Sequence, residues 1–148
     1  MKGMRYTDIR EIKKKLRSEF KAVRRGFTAD EKAERDARIL ERLTSLPEYR
    51  EAELLLTYVS TAIEVDTHIL IEQAIAEGKR VAVPWCVPGK VDMKFFLIGG
   101  MKDLEPGTFG VLEPVPERQQ ELYGTVSEED IEKFLCVLPG LGFDLSGN

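Results

Sequence analysis

Lys13, Arg17 and Arg24 are the first residues in this chain whose types and spacing suggest chemistry. At about 100° per residue on a helix they share one shoulder of a stripe made by Ile9, Ile12, Leu16, Phe20 and Val23. Cationic side chains so placed lay their stems along apolar surface and send their heads to a cleft or to water. Both a solvated basic face and an anion-facing wall fit the pattern. Residues 1–25 carry ten Lys/Arg against three Asp/Glu, a balance of +7, so the net charge of −4 leaves −11 on the remainder. A basic arm on an acidic body points to a polyanionic partner. No aromatic platform interleaves the cations, which argues against nucleic acid as that partner.

A second candidate is Glu64, between Ile63 and Val65, just beyond an apolar run ending Tyr58-Val59-Ser60. Ligands of open α/β folds bind past the carboxyl ends of strands, and a carboxylate there can accept paired N–H donors from a heterocycle. A surface salt bridge is the plainer alternative. The third is Gly107-Thr108-Phe109-Gly110, an aromatic between glycines, suited either to stacking on a flat ring or to a turn with Phe109 tucked into the core. The fourth is the Gly-rich, acid-bearing loop Leu138-Pro139-Gly140-Leu141-Gly142-Phe143-Asp144 after a short apolar strand. Cys86 and Cys136 both lie in apolar, strand-like runs and read as buried free thiols. His68 is the only histidine and no Cys-x-x-Cys occurs, which excludes zinc; a solvated role at a helix start is expected for it. Trp85 is read as a packing residue. No G-x-x-x-x-G-K-[ST], G-x-G-x-x-G or G-x-S-x-G signature is present.

The elements that must position these residues follow from periodicity and punctuation. Asp8 and Glu11 suggest a cap for a helix reaching about Arg25, and Thr28-Ala29-Asp30-Glu31 is a capping box opening a second helix to about Leu46, stopped by Pro47. Ala33, Ala37, Leu40 and Leu43 are its expected buried face. Leu54–Val59 reads as a strand, Thr67–Glu77 as a helix capped by Asp66 or Thr67 and stopped by Gly78, Arg80–Trp85 and Asp92–Ile98 as strands. Residues 99–116, rich in Gly and Pro, read as loop; Ser127–Glu132 opens a short helix and Phe134–Leu138 is the last strand. The order argues for one α/β domain over residues 1–148, a three-layer α/β/α arrangement with a mostly parallel sheet, C-terminally incomplete because nothing follows the last strand to cover its flank. No apolar run approaches a membrane span and the N-terminus is not a secretory signal, so a cytoplasmic protein is expected.

These pieces, in this order, resemble the 5-formyltetrahydrofolate cyclo-ligase (methenyltetrahydrofolate synthetase) family. The resemblance runs through Lys13-Lys14-Lys15-Leu16-Arg17, Tyr58-Val59-Ser60, Glu64-Val65-Asp66-Thr67, Gly78-Lys79-Arg80-Val81 into Pro84, Met93-Lys94-Phe95, Gly107-Thr108-Phe109-Gly110-Val111-Leu112-Glu113-Pro114 and Leu138 to Asp144. It implies an ATP- and Mg2+-dependent closure of 5-formyltetrahydrofolate to 5,10-methenyltetrahydrofolate with release of ADP and phosphate. The formyl oxygen attacks the γ-phosphate, the side-chain nitrogen of the pterin captures the imidate phosphate, and phosphate leaves. The resemblance makes Lys13, Arg17, Pro139, Gly140 and Asp144 nucleotide-side residues, and Val59, Glu64 and Phe109 folate-side residues. It implies small-molecule substrates, no nucleic acid, no membrane and a monomer. Family members continue past the Gly147-Asn148 pair into an Arg-x-Gly-x-Gly-x-Gly-Tyr-Tyr-Asp segment that supplies phosphate-binding amides and a magnesium-linked aspartate. This sequence does not contain it, and no metal ligand is identifiable. An inactive folate- or nucleotide-binding remnant of the family is therefore the alternative; a sugar-phosphate isomerase or lactonase of similar architecture rests on fold analogy alone.

Overall fold

The structure, a computed structural model, describes residues 6–123, 127, 129 and 132–148. Helix α1 spans Tyr6–Arg25, with Asp8 in its first turn, so the helix starts before the expected Asp8–Glu11 cap. Helix α2, Ala29–Ser45, opens on the capping box that the sequence predicts: Glu31 N–H donates to Thr28 Oγ1 (3.1 Å) and Thr28 N–H to Glu31 Oε2 (2.9 Å). Two amide donors that the helix leaves unsatisfied are thereby paired. Thr28→Ala is expected to lower stability by about 1 kcal/mol, read as a fall of roughly 2–4 °C in melting temperature for a chain of this size.

Leu46 ends α2 in an extended conformation, and Pro47 starts a further short helix, α3 (Pro47–Glu51), at the first position where proline costs no hydrogen bond. Strand β1 (Leu54–Thr57) follows, then α4 (His68–Ala76), with Gly78 at φ +84° closing it in the left-handed region. Strands β2 (Arg80–Cys86) and β3 (Met93–Ile98) come next. The segment expected as loop is more ordered than its periodicity suggests. It holds two 3-10 turns, Met101–Asp103 and Thr108–Gly110, an antiparallel ribbon of β4 (Leu104–Pro106) with β5 (Leu112–Pro114), and then β6 (Gln120–Glu121). Strands of two or three residues are too short to display a period of two, which is why the sequence shows only their turns. The helix expected at Ser127–Glu132 lies largely outside the described residues. β7 (Phe134–Val137) is the last strand.

The main sheet has the order β6-β3-β2-β1-β7. It is an α/β sheet, as the sequence implies, but a mixed one with five strands. β1 pairs in parallel with β2 and β7, whereas β2–β3 and β3–β6 are antiparallel. The antiparallel half follows from a short connection, 87–92, which forms a turn (Val87 N to Asp92 O, 3.1 Å) and cannot hold a crossover. Tyr49, Leu55, Val59, Leu70, Ile71, Ala74, Val81, Val83, Ile98 and Leu104 make one core between this sheet and α3, α4 and the β4 ribbon. Leu54, Ala82 and Leu122 make a smaller core on the other face.

The burial expected for α2 and for the two thiols is not found. No residue of α2 is buried: Leu40 and Leu43 pack partly on the core, while Ala33 and Ala37 are exposed, because α2 lies at the rim beside α3. Cys86 and Cys136 are free, as expected, but exposed, one at the last residue of β2 and the other on the edge strand β7. Trp85 is half-buried and meets Phe96 edge-on at 5.9 Å, a packing contact as expected. No described helix is long and apolar enough to cross a membrane.

Candidate functional site

The loop between β1 and α4 is tied down by its own polar groups. Thr67 Oγ1 donates to Tyr58 O (2.8 Å) and accepts from Ser60 N–H (3.0 Å), while Thr67 N–H donates to Ser60 Oγ (3.0 Å). Thr67 occupies the helix N-cap but directs its hydroxyl across the loop, and Asp66 Oδ1 takes the His68 N–H instead (2.8 Å). His68 is half-buried, with Nε2 3.1 Å from Ser60 O, and so departs from the expected solvated role. Tyr58 Oη donates to Val65 O (2.9 Å) and closes the loop from below. Burial first, and the Glu64 charge second, push the Tyr58 pKa up to about 12.

The fold thus favours the neutral Tyr58 phenol. The folded chain holds that proton after the unfolded chain has lost it, so this contribution is intact below pH 10 and declines as pH rises from 10 towards about 12. Tyr58→Phe is expected to flatten the alkaline limb of a stability-versus-pH curve measured by urea unfolding.

Held on this loop, Glu64 accepts on Oε2 from Thr61 N–H (2.7 Å) and Thr61 Oγ1 (3.0 Å). No cation pairs with it among the described residues, and Oε1 has no donor among them, which removes the salt-bridge alternative. Glu64 lines three cavities, two of which also take in the other candidate residues.

The first, about 580 Å³, lies between α1 and the loop after β7, lined by Lys13, Leu16, Arg17, Phe20, Arg24, Glu64, residues 139–142 and Asn148. The helical spacing therefore delivers Lys13, Arg17 and Arg24 to one wall, opposite Pro139 and Gly140, as the sequence suggests. Lys13 and Arg17 make no ion pair among the described residues. Arg24 acts instead as a tether, donating to Ile63 O (3.4 Å), Gly140 O and Leu141 O (3.0 Å) and so joining α1 to both strand-end loops. The apolar stripe of α1 does not enter either core. Ile12, Leu16, Phe20 and Val23 are each more than a third exposed, and a Cβ on Gly142 would come within 2.6 Å of the Phe20 ring. Asp144 does not line this cavity. Its carboxylate accepts from Ser146 N–H, Asn148 N–H (both 2.9 Å) and Asn148 Nδ2 (3.0 Å), and the Asn148 side chain above all holds its pKa below the usual value.

The second cavity, about 200 Å³, is lined by Tyr58, Val59, Thr61, Glu64, Pro84, Cys86, Met93, Thr108, Phe109, Val111 and Glu113. Val59 and Glu64, on the loop after β1, meet Phe109 here, which stands far from both along the sequence. Phe109 is not in the core. It is 96% exposed, at the tip of the β4–β5 ribbon, and sits at φ +58°, ψ +22°. An aromatic residue is uncommon in the left-handed region and is held there by bonds across the turn, Gly107 N to Val111 O (2.8 Å) and Val111 N to Thr108 O (3.2 Å). Glu113 joins this cavity too; the sequence carries it only within the Gly107–Pro114 stretch of the resemblance, since one acid beside Pro114 in a non-periodic stretch gives no hint of burial. Among the described residues no group of three or more His, Cys, Asp or Glu is placed to hold a metal ion.

Fold and site together define an open α/β protein whose strand-end loops gather a cationic wall on one side and an acidic, aromatic-lipped cavity on the other. More narrowly, the chain belongs to the 5-formyltetrahydrofolate cyclo-ligase family, whose model matches residues 9–148. It is 25% identical over 142 residues to a probable 5-formyltetrahydrofolate cyclo-ligase of Caenorhabditis elegans, an alignment covering 94% of this chain and 67% of the relative. It is 26% identical over 143 residues to the mitochondrial 5-formyltetrahydrofolate cyclo-ligase of Arabidopsis thaliana, covering 91% of this chain and 52% of the relative. The solved structure of Aquifex aeolicus 5,10-methenyltetrahydrofolate synthetase superposes with a TM-score of 0.71 at 24% identity, over 90% of this chain and 63% of that one, which shows the shared fold. The chain thus spans between about half and two thirds of the length of these relatives.

Proposed function

We propose that this chain acts in the ATP-dependent cyclisation of 5-formyltetrahydrofolate to 5,10-methenyltetrahydrofolate, with ADP and phosphate released. The observation that carries the reading is the pair of cavities meeting at Glu64, one walled by Lys13 and Arg17, unpaired among the described residues, and the other lined by Val59, Phe109 and two carboxylates. Lys13 and Arg17 neutralise the phosphates. The Pro139-Gly140 backbone borders the nucleotide, and Asp144 shapes that loop from within. Glu64 Oε1 accepts ring N–H donors, Val59 gives an apolar contact and Phe109 stacks at the mouth. Positioning and charge neutralisation are what phosphoryl transfer asks of a protein. Among the described residues no group of three or more His, Cys, Asp or Glu is placed to hold a metal ion, and the Asp144 carboxylate takes three hydrogen bonds from its own loop, so no step is assigned to the metal. A binding protein without turnover is the second reading, which the same two cavities also fit.

The test is formation of the methenyl product, followed by its absorbance, from 5-formyltetrahydrofolate, ATP and Mg2+. Turnover lost in Glu64→Ala, and a Michaelis constant for ATP raised about ten- to a hundredfold in Lys13→Ala, is the expected result. Equal turnover by both variants and the parent would sink the residue assignments. A parent that binds folate but makes no product supports the second reading.

A further inference from the structure

The Glu113 carboxylate is out of place for a residue with only a structural role. Glu113 is 8% exposed on β5, yet it lines the smaller cavity, and no cation or N–H donor reaches its carboxylate among the described residues. Buried carboxylates are normally paired, because taking the charge out of water costs several kcal/mol unless donors replace the solvent. The Cys86 thiol, a weak donor, hydrogen-bonds to it, and partial loss of solvent followed by the Glu113 charge raises the pKa of that thiol. The backbone also makes room for it. A Cβ on Gly107 would lie 2.2 Å from Glu113 Oε2, so the glycine that opens the Phe109 turn is also the one that lets the carboxylate fit beneath it. Gly107 itself has φ −117°, so space, not backbone conformation, is what this position requires of its residue.

We propose that Glu113 is a second heterocycle-binding carboxylate, facing Glu64 across the smaller cavity and accepting N–H donors from a different edge of the same flat ring. The inference rests on the folate reading above and narrows it. An occupant must carry N–H donors on two edges, as a reduced pterin does. A ring with donors on one edge leaves Glu113 as poorly paired as it is without ligand.

The experiment measures binding, without ATP, of 5-formyltetrahydrofolate and of a tail-less reduced pterin by titration calorimetry, and melting temperature without ligand. Glu113→Gln is expected to weaken both ligands about tenfold or more, the worth of the lost charge in a charge-assisted bond, while raising the melting temperature of the unliganded chain. Gly107→Ala, which keeps the charge but displaces the carboxylate, is expected to weaken binding to a similar degree. Loss of melting temperature together with affinity in Glu113→Gln would show a structural carboxylate and overturn the inference. Unchanged affinity in Glu113→Gln, with binding abolished in Glu64→Ala, would overturn it while leaving the folate reading intact. A parent chain that binds neither ligand would end both.

Discussion

Arg24→Ala is expected to abolish tight nucleotide binding, by about a hundredfold, without unfolding the sheet. Arg24 contributes to the larger cavity by what it joins: its guanidinium reaches carbonyls on the loop after β1 and the loop after β7 while its backbone belongs to α1. Neither core contains an α1 residue, so these bonds are a principal tie between the body and the helix that carries Lys13 and Arg17. A hydrogen bond from a charged donor contributes about 1.5–3 kcal/mol, and tenfold in affinity is about 1.4 kcal/mol, so losing this set accounts for roughly two decades. Equilibrium binding of ATP checks the magnitude. Limited proteolysis checks the mechanism, since α1 should become the first cleavage site while the melting temperature of the body moves little. Arg24→Lys keeps the charge but lacks the planar fork that meets several carbonyls at once, and is expected to recover only part of the loss.

The largest effect on stability is expected at Tyr49. It is 1% exposed on the short helix α3, packs in the main core, donates from Oη to Glu77 (3.0 Å) and lies under the Lys79 ammonium, 4.8 Å from the ring centre. Truncating a buried aromatic of that size to alanine costs about 3–5 kcal/mol, a large part of the roughly 5–15 kcal/mol that holds a typical domain folded. Tyr49→Phe keeps the volume and loses only the bond to Glu77, for which about 1 kcal/mol is expected. Urea unfolding of the two variants separates cavity from hydrogen bond. Equal losses would mean that the contact with Glu77, not the packing, holds α3 in place.

Much of this architecture is legible in the sequence. The capping box at Thr28, the stop at Gly78 and the strand–helix–strand order are local signals, each written within a few residues, and the fold honours them. What fails is what depends on partners far away along the chain. Tyr49 follows a helix-stopping proline and gives no hint of burial; the Ala33–Leu43 face is periodic but meets the rim of the body. Residues 104–114 pair as a ribbon that no short-range pattern announces. The site divides in the same way. Lys13 and Arg17 can be placed from helical geometry, and Val59, Glu64 and Phe109 from strand-end position and family likeness. The tethering bonds of Arg24 span 39 and 117 residues along the chain and are invisible to any window. Glu113 is hidden for the opposite reason, since an acid in an irregular stretch reads as solvated. Asp144, expected on the nucleotide side, instead takes its hydrogen bonds from its own loop.

Glu64 belongs to the wall of both cavities, and that shared membership has a thermodynamic consequence. Any occupant of one cavity that reorients this carboxylate alters the free energy of filling the other. Linkage requires the factor to be reciprocal: if the first ligand tightens the second by some ratio, the second tightens the first by the same ratio. Two ligands meeting at one carboxylate therefore form a closed cycle of four states, in which three measured affinities fix the fourth. The order of binding is then a matter of rates, and the strength of the coupling belongs to a single side chain.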